Sequence, residues 1–222
     1  ILILMAIESC DQNDQSSSSR QLANLIDSYQ DHEGYDEESY PLGLFTKEYY
    51  KTEADFAQKT LDELAKIDTS SLSETDKISA KLLAFVLQDQ IDYYTFEQYL
   101  NPILSDAGFH SSLTYEVRPL ANYNQVKDYL NKLNAIPEFV NQHLVNLREG
   151  LEKGISQPLV IFKGYESTYN DNIVDNYQDS YYYSPFKNLP SDLSETQKDS
   201  VLTAAKTAIE TKVTPEFKRI KT

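Results

Sequence analysis

The stretch YLNKLNAIPEFVNQHLVNLREGLEKGISQP, residues 129–158, carries the clearest helical pattern in the chain. Its apolar residues recur at steps of four, four, three and four, which places them on one face of a helix that packs against neighbours. These residues are Ile136, Val140, Leu144, Leu147 and Leu151. Pro137 suits the first turn of a helix, and Gly154 suits the position just after its end. The pattern therefore predicts a buried helix between these two residues and a new helix from Pro158.

Comparable apolar stripes outside this stretch predict further helices that begin near residues 20, 46, 73, 124 and 194. Capping patterns at Ser73 and Ser194 mark two of these starts. We expect the helix from Ser73 to reach about Tyr99 and to be buried on more than one side, and Pro215 to kink or end the last helix. No segment shows a convincing strand pattern. The sequence therefore predicts an all-α fold, an irregular multi-helix array.

The first ten residues, ILILMAIESC, form a short apolar run that ends in the only cysteine. A run of this length cannot span a bilayer, which needs about 20 residues, but it suits the apolar part of an export signal. We interpret residues 1–10 as a partial lipoprotein signal peptide and Cys10 as the lipidated residue. Residues 11–19 are polar and would form a flexible linker. The alternative is a buried N-terminal strand with an inert thiol.

The helical domain then covers residues 20–222. The apolar pattern of its last predicted helix continues to Thr222, so we expect the domain to be truncated at its C-terminus. A lipid on Cys10 would make a membrane the partner of the chain and place it in the bacterial cell envelope, on a periplasmic or surface face.

The composition excludes nucleic acid as a partner. Asp and Glu number 35 against 20 Lys and Arg, which gives a net charge of -15. Such a chain would repel a phosphate backbone, and it has no basic stripe to offset the repulsion.

The single cysteine cannot form an internal disulfide or a cysteine-based zinc site. Packing alone must therefore hold the fold.

The sequence contains no motif for catalysis, metal binding or nucleotide binding. His32, His110 and His143 are far apart, and the zinc-binding pattern His-Glu-x-x-His is absent. A hydrogen-bonded structural role is the expected one for His143. No Gly-x-Ser-x-Gly elbow and no glycine-rich phosphate loop occurs. We therefore predict no catalytic, cofactor-binding or metal-binding residue in this segment.

Arg148, Tyr165 and Tyr169 are the candidates for ligand contact. Tyrosine joins an apolar ring to a hydroxyl that can bond to peptide or sugar groups. Arginine is scarce in the chain, and Arg148 could bind a carboxylate from an internal Glu or from a substrate. The alternative is that the tyrosines belong to the core and that Arg148 pairs within the chain.

The region from about residue 40 to residue 221 resembles the N-terminal half of the bacterial domain-of-unknown-function family numbered 885. The residues that carry the resemblance are Tyr129, Leu130, Leu133, Ile136, Pro137, Leu147, Arg148, Gly150, Gly154, Ile155 and Pro158. Members of that family look like large, helical, zinc-dependent peptidases, and many are exported lipoproteins.

The resemblance implies that these helices are the N-terminal portion of a larger peptidase-like fold and flank its cleft. It also implies that the zinc motif lies in a missing C-terminal half, which would be a partner of this segment together with a peptide substrate. The segment itself would then hold no cofactor, and zinc would belong to the longer parent protein. The alternative function is a lipid-anchored helical binding protein for peptides or glycans.

Overall fold

The computed structural model describes residues 16–103 and 108–222, and over these ranges the chain forms eight α-helices. They are α1 (Ser17–Gln30), α2 (Lys47–Leu64), α3 (Glu74–Thr95), α4 (Phe109–Ser112), α5 (Tyr123–Glu152), α6 (Ser167–Asn170), α7 (Glu195–Ala208) and α8 (Thr214–Lys221). Short 3-10 segments and turns connect them. Apart from one isolated bridge between Ile103 and Gly108, these ranges contain no β-structure. The all-α fold is confirmed.

The chain divides into two compact units, and the first consists of the residues up to Gly34 together with Lys51–Phe96. Its described part contains α1, α3 and most of α2 around an aliphatic core. The buried residues of this core are Leu22, Ala57, Leu64, Ile67, Leu72, Ala80, Leu83 and Leu87. The hydroxyl of Ser19 in α1 donates to Asp76 in α3 over 2.8 Å. Burial of this aliphatic surface is the main force that holds the first unit together.

The second unit consists of Tyr35–Tyr50 and Glu97–Thr222, and it is built around α5. Its core is larger, and seven of its eighteen buried residues are aromatic. The buried rings include Phe109, Tyr129, Phe139, Tyr182, Phe186 and Phe217. The hydroxyl of Tyr129 donates to the carbonyl of Tyr182 over 2.8 Å, so the polar end of this buried ring is satisfied.

Helix α5 is one continuous helix of 30 residues. The prediction that a helix begins at Pro137 is wrong, because Pro137 lies inside α5. A proline there costs about 3 kcal/mol through a lost hydrogen bond and a steric clash. Buried residues on both sides of the proline follow one another every three or four positions and so share one face, which offsets this cost. They are Val126, Tyr129, Leu133, Ile136, Val140 and His143.

The end of α5 confirms the predicted role of Gly154. This residue has φ of 78°, in the left-handed region that glycine adopts without steric cost. The N–H of Gly154 donates to the Leu151 carbonyl over 3.0 Å, and the N–H of Ile155 donates to the Gly150 carbonyl over 2.8 Å. These two bonds form a Schellman motif, which satisfies carbonyls that the last turn leaves open.

The capping predictions at Ser73 and Ser194 are also confirmed. The Ser73 hydroxyl accepts from the N–H of Asp76 over 3.1 Å, at the start of α3. At the start of α7, the Ser194 hydroxyl accepts from the N–H of Gln197 over 3.3 Å, and the Gln197 side chain accepts from the N–H of Ser194 over 2.9 Å. The second arrangement is a complete capping box.

The helix predicted from Pro158 to Tyr177 is wrong. This region contains a 3-10 segment over Leu159–Phe162 and the four-residue helix α6, with irregular chain around them. Gly164 lies between the two and has φ of 82°. A residue in this left-handed conformation ends a right-handed helix, which accounts for the break.

Helix α3 is buried on one side only, so the prediction of burial on several sides is wrong. Ala80, Leu83 and Leu87 are buried. On another face of α3, Ile78 is 59% exposed, Leu82 is 46% exposed and Phe85 is 71% exposed. The helix also ends at Thr95, short of the expected Tyr99. The stretch was therefore apolar enough to suggest a central helix without having a core on both sides.

At the C-terminal end, α7 passes into a π-helical segment over Ile209–Val213 and then into α8. Pro215 lies in the first turn of α8, where its missing N–H breaks no helical bond. The predicted interruption near Pro215 is confirmed. At the other end, α1 begins at Ser17 with Ser16 as its cap, so residues 17–19 of the expected linker are helical.

Cys10, the rest of the predicted signal peptide and most of the expected linker lie outside the described residues. Within the part of the chain that the structure describes, no helix combines the length and the apolar character that a membrane span requires.

Candidate functional site: a pocket beside Arg148

A pocket of about 400 Å³ lies in the second unit beside the C-terminal half of α5. Four segments of the unit form it: the segment with Asn101 and Ile103, α5, the chain that follows α5, and the end of α8. Its apolar walls are Ile103, Leu144, Leu147, Leu151, Ile155, Phe162 and Ile220. Its polar lining is Asn101, Arg148, Ser156, Gln157, Arg219 and Thr222. Aliphatic walls with a few polar groups are typical of sites for small organic ligands.

One face of α5 supplies the longest wall. Leu144, Leu147, Arg148 and Leu151 follow at steps of three, one and three, so a helix presents them side by side. One turn earlier, on the same side of α5, Val140 and His143 are buried in the core, and Leu144 and Leu147 pack against it. The pocket therefore lies where the apolar face of α5 continues beyond its buried part towards the C-terminal end.

Gly150 allows a second wall to approach α5 closely. A Cβ atom at this position would lie 2.6 Å from the carbonyl oxygen of Leu100, a backbone atom that cannot move away easily. Without that Cβ, the segment with Asn101 and Ile103 can reach the pocket. The Gln157 side chain donates to the Ile103 carbonyl over 3.0 Å and ties the chain after α5 to the same segment.

Arg219 is held in place by partners on two helices. Its Nη1 lies 3.1 Å from Oε2 of Glu216, and its Nη2 donates to Oδ1 of Asn141 over 2.7 Å. These bonds connect α8 to α5 and compensate the charge of Arg219. Arg219 is not among the residues predicted from the sequence, although a Glu three positions before an Arg on a helix is a typical pairing signal.

Arg148, in contrast, has no hydrogen-bond or ion-pair partner among the described residues, and its side chain is exposed. A guanidinium offers five donors in a plane and binds a carboxylate through two of them. Arg148 therefore provides a free anion-binding group at the edge of a mostly aliphatic pocket. The predicted pairing of Arg148 with an internal Glu does not occur in the described ranges.

Tyr165 and Tyr169 do not line this pocket, although a neighbour of Tyr165 does. The ring of Phe162, in the pocket wall, packs edge-on against Tyr165 with 5.9 Å between the ring centres. Tyr165 and Tyr169 lie instead beside His110, at ring-centre distances of 5.5 Å and 6.4 Å. Tyr165 is buried, so the structure brings the two tyrosines together but places neither with Arg148.

His110 and His143 are buried in the aromatic core, 1% and 5% exposed. The Thr168 hydroxyl donates to the Tyr165 carbonyl over 2.6 Å, so it must accept from Nε2 of His110 over 2.8 Å. Nδ1 of His110 then carries a lone pair and has no partner in the described ranges. Burial lowers the pKa of His110 to about 4.

His143 is surrounded by three phenyl rings. Its ring centre lies 4.3 Å from that of Phe45, 4.6 Å from that of Phe109 and 4.7 Å from that of Phe139. Neither ring nitrogen has a hydrogen-bond partner in the described part of the chain, so the expectation of a hydrogen-bonded structural histidine is wrong. Burial lowers the pKa of His143 to about 3, which keeps the ring neutral at physiological pH.

The described residues do not fit a zinc ion. Over residues 16–103 and 108–222 there is no group of three His, Cys, Asp or Glu side chains that could bind a metal. Among the described residues, His110 has a threonine as its only hydrogen-bond partner, and His143 has phenyl rings around it. A zinc site needs three or four convergent donors of this kind.

Comparison with models of protein families matches residues 30–222 to the family described as "Bacterial protein of unknown function (DUF885)". The match covers far more than half of the chain and includes the whole pocket beside Arg148. No curated protein and no solved structure matches the chain.

Proposed function

Since the chain belongs to the DUF885 family of bacterial proteins, we propose that its pocket beside Arg148 binds the C-terminal end of peptides. On this proposal the chain is the non-catalytic helical part that flanks the cleft of a longer, zinc-dependent peptidase. The lipid on Cys10, the zinc of the parent protein and the location in the cell envelope stay predictions, and the resemblance described above supports them.

The observation that carries the proposal is the unpaired guanidinium of Arg148 next to aliphatic walls. A peptide C-terminus has the complementary chemistry, because its carboxylate and the side chain of its last residue are attached to the same Cα atom. If Arg148 binds the carboxylate, an apolar last side chain can lie against Leu147, Leu151 and Phe162. A hydrogen bond to a charged group contributes about 1.5–3 kcal/mol.

The alternative function, a lipid-anchored binding protein for peptides or glycans, would use the same pocket. The apolar walls favour the peptide, since they make up most of the pocket surface and suit an apolar side chain better than the hydroxyl groups of a sugar. A peptide-binding chain without catalytic groups therefore agrees with both functions. A test for cleavage of the bound peptide can distinguish the two functions only if it is made with the longer parent protein.

The experiment compares two tetrapeptides that end in leucine, one with a free C-terminal carboxylate and one with an amide. Calorimetric titration of the chain should show binding of the acid that is about 10- to 100-fold tighter than binding of the amide. Arg148→Gln should remove most of this difference, because glutamine keeps a polar chain but loses the charge.

Arg118→Gln is the matched control. Arg118 is also exposed, but it donates to the Tyr115 carbonyl over 2.8 Å and does not line the pocket. This variant should bind both peptides as the unchanged chain does. Equal affinity for the acid and the amide would overturn the peptide proposal. Cleavage of either peptide by this chain, detected by mass spectrometry, would overturn the non-catalytic role.

A further inference from the structure

A second cavity, of about 430 Å³ and partly open to solvent, lies in the first unit. The end of α2 contributes Leu61 and Leu64, the connection to α3 contributes Ile67 and Leu72, and α3 contributes Ala80 and Ala84. Apart from Thr69 and two lysines, every side chain in its lining is apolar. The small alanine side chains leave space between the two helices that larger residues would fill.

Two lysines of α3, Lys77 and Lys81, lie one turn apart at the edge of this cavity. Lys77 is engaged with Glu74, at a distance of 2.8 Å. Lys81 is exposed and has no ion-pair or hydrogen-bond partner among the described residues. In a chain with a net charge of -15, a free ammonium beside an apolar cavity is complementary to an anion that carries an apolar tail.

The size of the cavity limits the ligand further. A volume of about 430 Å³ has room for one unbranched acyl chain, and a single free ammonium suits a head group with one negative charge. A phospholipid has two acyl chains, and a peptide has backbone groups that would find few partners on these walls. The exposed side chains of Ile78 and Phe85 stand one turn from Lys81 and can cover the methylenes nearest the head group.

We propose that this cavity binds a medium-chain fatty acid, with the acyl chain between α2 and α3 and the carboxylate on Lys81. The site is independent of the pocket beside Arg148, because all of its lining belongs to the first unit. The proposal therefore stands or falls separately from the proposed function.

The test is calorimetric titration of the full chain with monomeric octanoate, decanoate and 1-decanol. Each added methylene should tighten binding about fourfold, which corresponds to about 0.8 kcal/mol per buried methylene. Decanoate should bind more tightly than 1-decanol, which has the same chain length and no charge. Lys81→Gln should lower the affinity for decanoate to nearly that for 1-decanol. Ala84→Leu should weaken the binding of both ligands, because the larger side chain fills the cavity.

Two control variants locate the binding. Lys59→Gln removes an exposed lysine of the same unit that does not line the cavity, and it should leave decanoate affinity unchanged. In Arg148→Gln, the part of the decanoate affinity that Lys81→Gln removes should persist. If Arg148→Gln abolishes decanoate binding, the fatty acid binds in the other pocket and the proposal is wrong. Equal affinity for decanoate and 1-decanol, no binding of either, or binding only to phospholipid vesicles would overturn it as well.

Discussion

The two units of the chain bury different chemistry. The first unit has a core of leucine, isoleucine and alanine, and its histidine, His32, is partly exposed and lies 3.0 Å from Glu53. The second unit has a core of aromatic rings that also encloses His110 and His143. Small aliphatic side chains line the cavity of the first unit, whereas the pocket of the second unit lies beside a core that buries many aromatic rings. The comparison shows that one chain can contain a unit with an aliphatic core and a unit whose core buries two ionisable histidines.

Acid should destabilise the second unit more than the first, and this is the largest effect that we expect. Burial lowers the pKa of His110 to about 4 and that of His143 to about 3, from an ordinary value of 6.5. Below pH 6.5 the unfolded chain binds protons that the folded chain does not, so stability falls as the pH falls towards these folded values. At about 1.4 kcal/mol per pH unit for each histidine, the loss at pH 5 is about 4 kcal/mol.

Hydrogen exchange followed by mass spectrometry measures this effect unit by unit. After correction for intrinsic exchange, protection of α5 should drop between pH 7 and pH 5 more than protection of α3. His143→Leu should remove about half of the drop, because the ring nitrogens of His143 have no hydrogen bonds to lose. His32→Gln is the control in the first unit. Equal loss of protection in α3 and α5 would show that the buried histidines do not set the acid response.

Enlarging one small residue should have opposite effects in the two units. In Gly150→Ala the new Cβ would lie 2.6 Å from the Leu100 carbonyl oxygen, so we expect a loss of about 1–3 kcal/mol from overpacking. In Ala84→Leu the larger side chain enters a cavity, so we expect no loss and a gain of up to about 1 kcal/mol.

Urea unfolding of the two variants checks this contrast between close packing and free space. Gly154→Ala is the control, because it tests the cost of a positive φ at a position where the new Cβ meets no other atom. Its φ is 78° and no atom lies within 4 Å of the added Cβ, so the cost should be only about 1 kcal/mol. A Gly150→Ala variant as stable as the unchanged chain would mean that the Asn101 segment moves away from α5 freely.

The helix caps should differ least between the units. Ser73→Ala removes a cap of α3 in the first unit, and Ser194→Ala removes one half of the capping box of α7 in the second. Each change should cost about 1 kcal/mol. Hydrogen exchange should show the loss only in the first turns of the helix concerned. A much larger cost in one unit would indicate that its cap also holds a tertiary contact.

Local patterns predicted much of the fold. The all-α class, the caps at Ser73 and Ser194, the end of α5 at Gly154 and the interruption near Pro215 all follow from periodicity and from the chemistry of single turns. These features depend on residues within a few positions of one another. A linear sequence displays such neighbours directly, which is why these predictions are correct.

Predictions failed where distant contacts outweigh a local preference. Pro137 favours the start of a helix, but the buried face that runs from Val126 to His143 holds α5 together through it. The apolar stripe of α3 suggested a helix buried on several sides, but its second face meets no core in the described ranges. Burial of a face depends on which elements are available to cover it, and periodicity carries no information about that.

The candidate site shows the same division. Composition and spacing identified Arg148 as an unusual arginine, and the helical pattern placed it beside Leu144, Leu147 and Leu151. Periodicity and capping act within single turns, so the residue order is enough to set them. Folding alone determined that Glu216 and Asn141 engage Arg219 and that, among the described residues, Arg148 has no charged partner and the ring nitrogens of His143 have no hydrogen bond. The physical reason is that charge pairing and desolvation depend on distances between groups far apart in the chain, and packing creates those distances.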